Sequence, residues 1–341
     1  MHEFTYEALP MRVVFGPISD LGAEVAALGL KRVLVVCGPG HAALGREVAD
    51  RLGAELFAEA RMHVPVELAD RASELAVATG ADGCVTVGGG SAIGLGKAIA
   101  LRHGLPIIAV PTTYAGSEMT PVWGLTENGV KRTGRDRRVL PRSVLYDATL
   151  TVSLPAKLSL TSGINAMAHA VEALYAPDLT PLIALQAEEG VRALAAALPR
   201  VVADGADLEA RSDAQYGAWL CGTCLAACTM GLHHKLCHTL GGTLDLPHAD
   251  THTVVLPYVL AFNTAFTTAS AALGRALGTD DPVGALWRLG GQGSLRELGM
   301  RAEDIDRIAD LVVASSYANP RPATRDDLAA LLRAAWQGDR P

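Results

Sequence analysis

From residue 32 onward, short apolar runs and amphipathic stretches take turns along the chain. Residues 32–36 read Arg-Val-Leu-Val-Val, the continuous apolar pattern of a strand buried on both faces. Gly38-Pro39-Gly40 follows as a turn, and Ala42–Leu52 then carries apolar residues at helical spacing. Residues 66–79 repeat that spacing through Leu68, Ala72, Leu75 and Ala76, up to a break at Gly80. The pattern predicts a second buried strand over 82–87, a helix over 92–101, a third strand over 106–110 and a short last strand over 144–146. Residues 123–134 are polar and centre on Asn128-Gly129, a good two-residue hairpin turn. Strand, helix and strand in alternation require right-handed crossovers and a parallel sheet.

Past Pro155 helical periodicity takes over, with helices predicted over 182–198, 213–228 and 302–314. The expected architecture is therefore an α/β dinucleotide-binding domain with a parallel sheet, residues 1–154, followed by an all-α substrate and catalytic domain, residues 155–341.

Gly88, Gly89, Gly90 and Ser91 stand between a predicted strand and a predicted helix. Glycines let the backbone approach a phosphate, and a helix N-terminus offers unpaired N–H groups and partial positive charge. Ser91 is expected to act as N-cap or as a phosphate donor. A tight turn alone would explain some glycine, but three in a row at this position favour phosphate. Thr112, Thr113, Gly116 and Ser117 lie just past the next strand, and ligands of open α/β sheets bind at the carboxyl ends of strands. Both loops are expected to border one crevice holding NADH or NADPH. The GxGxxG fingerprint is missing, which points away from the common Rossmann dehydrogenases. The acid that would bond the adenosine ribose is missing too, because that position reads Cys37-Gly38. Without it nothing repels a 2′-phosphate, so weak discrimination between the two cofactors is expected.

Histidines crowd the stretch from His169 to His252. Asn165 and His169 are four apart, as are His234 and His238, so each pair shares one helix face. His248 follows Pro247 in a predicted loop. Groups drawn from three segments of a helical domain are expected to share one site.

Composition narrows the partners. Half of the 341 residues are hydrophobic and 19% are charged, enough apolar material for large cores. The net charge is −7, and no basic block appears, which disfavours nucleic acid. An anionic small molecule would need a local cationic site. Cys221-Gly-Thr-Cys224 has CxxC spacing, but no second ligand pair accompanies it, so buried reduced thiols in a helix are expected. Residues 1–10 lack the apolar core of a signal peptide, and no uncharged apolar run reaches the roughly 18 residues of a membrane span. A cytoplasmic protein is expected, with no membrane partner.

Four motifs together resemble the iron-containing alcohol dehydrogenases, whose fold is shared with dehydroquinate synthase. They are GGGSAIGLGK at 88–97, PTTYAGSEMT at 111–120, SGINAMAHAVEALYAP at 162–177 and GLHHKLCHTLGGTLDLPH at 231–248. They occur in the family's order and span both domains. Two departures stand out: Gly94 replaces the Asp of the family's phosphate loop, and Asn165 replaces the Asp that is its first metal ligand. An amide offers only a carbonyl dipole where a carboxylate offers full charge. No metal is therefore expected, and an ion that did bind would use Asn165, His169, His234 and His248. The amide, with KRTGRD at 131–136 and YANPRP at 317–322, is similar to the maleylacetate reductase branch.

That resemblance implies reduction of the C=C bond of maleylacetate, a small dicarboxylate, to 3-oxoadipate in aromatic catabolism, by a homodimer. The alternative is a metal-dependent dehydrogenase of a small alcohol. His234 and His248 are the expected oxyanion or carboxylate partners. His238 is the expected general acid, since an imidazole ordinarily titrates near neutrality. Asn165 and His169 complete the catalytic set. Lys131 is expected at the nicotinamide ribose and Tyr114 in the cofactor crevice. Arg321 is expected either to clamp a carboxylate or, the favoured reading, to cap the last helices.

Overall fold

The computed structural model describes residues 3–127 and 130–341, with the side chains of 130 and 131 outside the description. The Asn128-Gly129 turn and the Lys131 side chain therefore lie outside the described residues. The chain divides at Leu154/Pro155 into two compact units, with residues 3–5 grouped with the second.

The first unit is built on a six-stranded parallel sheet in the order β1-β8-β5-β4-β2-β3. Its strands are β1 (Arg12–Phe15), β2 (Val33–Cys37), β3 (Glu55–Phe57), β4 (Gly83–Gly88), β5 (Ile107–Pro111) and, after the hairpin, β8 (Ser143–Tyr146). The crossovers run through α1 (Leu21–Ala27), α2 (Ala42–Leu52), α3 (Val66–Ala78) and α4 (Gly90–His103). Strand side chains alternate between faces, and the two cores follow that alternation. Leu34, Val36 and Cys84 pack with Leu68, Ala72 and Ile99 of α3 and α4. Val33, Val35 and Val85 pack with Leu21 and Val48 of α1 and α2. A hairpin, β6 (Val122–Glu127) with β7 (Val130–Arg135), forms a separate antiparallel ribbon.

Two expectations shift here. The fourth helix begins at Gly90, not at 92, with Gly89 as its N-cap. Ser91 therefore sits inside the first turn and is not the N-cap. Glycine's poor helix propensity is overridden because the phosphate-loop glycines continue straight from strand into helix.

The second unit is helical throughout: α5 (Ala156–Ala173), α6 (Pro181–Ala203), α7 (Leu208–Ala227), α8 (Leu232–Leu244), α9 (His248–Asn263), α10 (Ala269–Leu277), α11 (Pro282–Leu289), α12 (Asp304–Val313) and α13 (Arg325–Gln337). α5 is buried on almost every side and packs against α6, α7 and α9. Buried Leu236, Leu240, Val255, Val259, Ile308 and Leu332 knit α8, α9, α12 and α13 into a second core. Asp207 caps α7 through a bond from Ala210 N, which lets that helix start five residues before the predicted 213. All six cysteines are buried and free, including Cys221 and Cys224. Among the described residues no helix is long and apolar enough to cross a membrane.

Candidate active site

In the first unit, β4 and β5 are neighbours, so the loops that leave them touch. Thr112 N donates to Gly88 O at 3.3 Å. Gly88 has a φ of 143°, a conformation open to glycine. A Cβ on Gly89 would lie 2.9 Å from the Thr113 methyl, and one on Gly90 would meet nothing within 4 Å. The α4 N-cap receives no side-chain bond. The result is a bare helix N-terminus over an open backbone cradle, which fits a dinucleotide phosphate. Gly88→Ala would place its Cβ 3.0 Å from the Ala92 methyl at a φ that L residues avoid. We expect it to raise KM for NADH roughly tenfold, about 1.4 kcal/mol, within the usual cost of such strain. An unchanged KM would remove Gly88 from the cofactor site.

Thr112 is buried and its hydroxyl lies 3.2 Å from His41 Nε2. Ser117 belongs to a short 3-10 turn held by Lys97, a fully buried lysine on α4. Lys97 Nζ donates to Ser117 O at 2.6 Å, Val122 O at 2.8 Å and Thr120 Oγ1 at 2.9 Å. Burial pushes this amine down to about 7, against the pull of Glu118. A Cβ on Gly94 would lie 2.9 Å from a Val64 methyl, so any larger residue there would require Val64 to shift. Tyr114 does not line a crevice: it is fully buried, with its hydroxyl 3.5 Å from Thr151 Oγ1. Cys37 closes β2 and is followed in the chain by Gly38-Pro39-Gly40.

In the second unit, α5, α8 and α9 bring the histidines together. His169 and His234 stack at 5.0 Å between ring centroids, and His234 and His238 stand edge to face at 6.0 Å. His238 and His248 are stacked at 6.1 Å and are the exposed members of the group. His248 is not in a loop. Pro247 caps a helix that His248 opens, because proline's fixed φ suits the residue that enters a helix. That start puts His252 one turn along the same face, 4.4 Å from His248 and 5.0 Å from His234.

Three members escaped the sequence reading: Glu172, His233 and His252. Glu172 follows Asn165 and His169 at i+7 and i+3, on the face they already define. Its carboxylate sits at the N-terminus of α8, where the helix dipole favours an anion. It accepts from Gly231 N at 3.0 Å, His233 N at 2.7 Å and His234 N at 3.4 Å. His234 Nδ1 lies 2.5 Å from the same group. Burial alone would raise this carboxyl, but His234, His233 and the Gly231 N–H together outweigh burial, and it stays below the ordinary range. Gly231 is required for the approach, since a Cβ there would lie 2.5 Å from Ala318 O.

The Glu172 bond orients His234 as carboxylates orient active-site imidazoles. It leaves His234 Nε2 buried with no partner among the described residues, as are Asn165 Oδ1 and His169 Nδ1. Burial and the neighbouring imidazoles drive His169 and His252 well below the ordinary histidine value. The donors Asn165, His169, His234 and His248 are all neutral ligands, and the nearest carboxylate, Glu172, is committed to His234 and the α8 backbone. Such a set is neutral and, unlike one with a carboxylate, would leave a divalent ion's charge uncompensated among its direct ligands.

Arg321 does not reach toward the histidines. It stacks on Phe262 at 3.9 Å and bonds Asp327 at 2.9 Å and Phe262 O at 3.3 Å. Asp327 in turn closes the capping box of α13 with Thr324, so Arg321 braces the last helices.

Comparison with known proteins agrees with both units. Residues 10–148 match the family model for iron-containing alcohol dehydrogenase, and residues 159–336 match the model for that family's C-terminal part. A maleylacetate reductase from Pseudomonas knackmussii is 52% identical over 348 residues, 99% of each chain. The crystal structure of maleylacetate reductase from Rhizobium sp. strain MTP-10005 superposes with a TM-score of 0.97 at 49% identity, covering both chains completely. An iron-containing alcohol dehydrogenase from Corynebacterium glutamicum is 44% identical with a TM-score of 0.94, covering 99% of this chain and 98% of its own.

Proposed function

The chain belongs to the iron-containing alcohol dehydrogenase family, and we propose that within it the protein reduces the C=C bond of maleylacetate to 3-oxoadipate with NADH or NADPH, without a catalytic metal. Asn165 carries this reading. It stands where the family has a metal-binding carboxylate, inside a chain about half identical to maleylacetate reductases over its full length.

When bound, the nicotinamide supplies a hydride to the alkene carbon β to the ketone. Negative charge then develops on the ketone oxygen, and the site must meet it with placed donors. His234 suits this task. Glu172 holds its Nδ1 and fixes the ring, and a second ring proton, on Nε2, would donate to the oxyanion. Asn165 and His169 line the same buried end and exclude water. His238 is the proposed proton donor to the α carbon, because it is exposed beside His234 and can exchange protons with solvent. His248, stacked on it, is the proposed partner of a substrate carboxylate. Gly88, Gly89, Gly90, Ser91, Thr112, Thr113 and Ser117 are proposed to hold the cofactor. The absence of an acid after Cys37 supports use of both cofactors.

The test is oxidation of NADH and NADPH by maleylacetate beside a panel of small aldehydes, with and without chelator. We expect maleylacetate to be turned over at a rate that chelation does not change. Preferred turnover of aldehydes, or activity abolished by chelator and restored by iron or zinc, would establish a metal-dependent alcohol dehydrogenase instead.

A further inference from the structure

The buried end of the histidine cluster contains a second donor set that shares no member with Asn165, His169, His234 and His248. His233 and Cys237 are four apart on α8 and so lie on one face. His252 meets them from α9. His233 Nε2 lies 2.9 Å from His252 Nδ1 and 3.7 Å from Cys237 Sγ. The three potential ligand atoms all fall within 4.8 Å of one another, and all three side chains are buried.

We propose that His233, Cys237 and His252 form a binding site for a thiophilic closed-shell cation of the Zn²⁺ or Cd²⁺ class. Tetrahedral zinc with bonds of about 2.0–2.1 Å to nitrogen and about 2.3 Å to sulfur places ligands roughly 3.3 Å (N···N) and roughly 3.6 Å (N···S) apart. The His233–Cys237 separation already matches, the N···N separation has to open by a few tenths of an ångström, and His252 stands within 4.8 Å of the sulfur. Cys237 supplies, as thiolate, the negative charge that the Asn165 set lacks. The ligand softness also selects the ion, since thiolate with imidazole favours zinc-like over magnesium-like cations.

The proton count closes without any redox change. The thiol loses one proton to solvent as the sulfur–metal bond forms. The hydrogen shared between the two imidazoles is displaced, and each ring keeps one N–H on its other nitrogen. Those nitrogens, His233 Nδ1 and His252 Nε2, are buried and without partners among the described residues, so the tautomers are free to form. Release of a proton makes binding tighten as pH rises.

Cadmium titration of the chelator-stripped, reduced full chain tests this without using substrate turnover. The expected result is one equivalent bound with a sulfur-to-cadmium charge-transfer band. Cys237→Ser is expected to abolish the band and weaken binding at least roughly 100-fold, in line with loss of a ligand. His248→Ala, which removes only a member of the other set, is expected to keep both band and affinity. A band that persists in Cys237→Ser, no band in the parent chain, or binding lost in His248→Ala but kept in Cys237→Ser would each overturn the site. If Cys237→Ser fails to fold, His252→Asn takes its place, and unchanged cadmium affinity there is equally fatal.

Discussion

Glu172→Ala is expected to destabilise the helical unit by about 3–5 kcal/mol, the usual cost of leaving a buried pair with one partner. The carboxylate satisfies three backbone N–H groups at the start of α8 and the Nδ1 of His234 at once. Alanine leaves all four buried without an acceptor. Glu172→Gln separates structure from chemistry. It keeps the volume and one acceptor oxygen, so the fold is expected to persist at a cost of about 1–3 kcal/mol. The amide removes the negative charge beside His234 Nδ1, however, and kcat/KM for maleylacetate is expected to drop roughly 10–100-fold, as for other groups that orient an active-site imidazole. Denaturant midpoints read the first effect and steady-state kinetics the second. A glutamine variant with unaltered kinetics would show that His234 does not depend on Glu172.

The second large effect is acid instability. His169, His233 and His252 are buried with pKa values below the ordinary 6.5, that of His233 lowered to about 3, chiefly by burial. In the unfolded chain each ring takes up a proton near 6.5. Below that pH the unfolded state therefore binds protons that the folded state refuses, and stability declines as pH falls. Above 6.5 both states are neutral and the contribution is complete. Each ring adds up to about 1.4 kcal/mol per pH unit, so three together reach about 4 kcal/mol per unit at their steepest. Glu172, whose folded pKa is lowered, loses its stabilisation at lower pH and acts in the same direction. Chemical denaturation at pH values from about 8 down to about 5 measures this dependence. A midpoint that does not move between about 7 and 5 would mean that these imidazoles are not buried in neutral form.

Local pattern was enough for most of the first unit from residue 32 onward, but it left β1, α1 and the three-residue β3 unread. Continuous apolar runs reported strands covered on both faces, and Leu34 and Val36 do pack opposite Val33 and Val35. Glycine blurred one boundary, because a residue without a side chain carries no periodicity, and α4 began two residues earlier than its apolar pattern did. In the second unit the pairs Asn165–His169 and His234–His238 were legible as i, i+4 neighbours. His248–His252 has the same spacing and was hidden by reading Pro247 as part of a loop. The helix that His248 opens would have exposed it.

The sequence alone thus determined the strand–helix alternation after residue 32, the parallel sheet, the glycine run after β4 and the amide at Asn165, all carried by neighbours in the chain. Only the tertiary structure decided which of these groups meet. Glu172 reaches His234 across 62 positions, His252 reaches His233 across 19, and Arg321 turns to Asp327 and Phe262. Periodicity tells which face of a helix is buried. The packing of α5, α8 and α9 against one another tells what that face touches, and that packing made a buried glutamate the support of the histidine cluster.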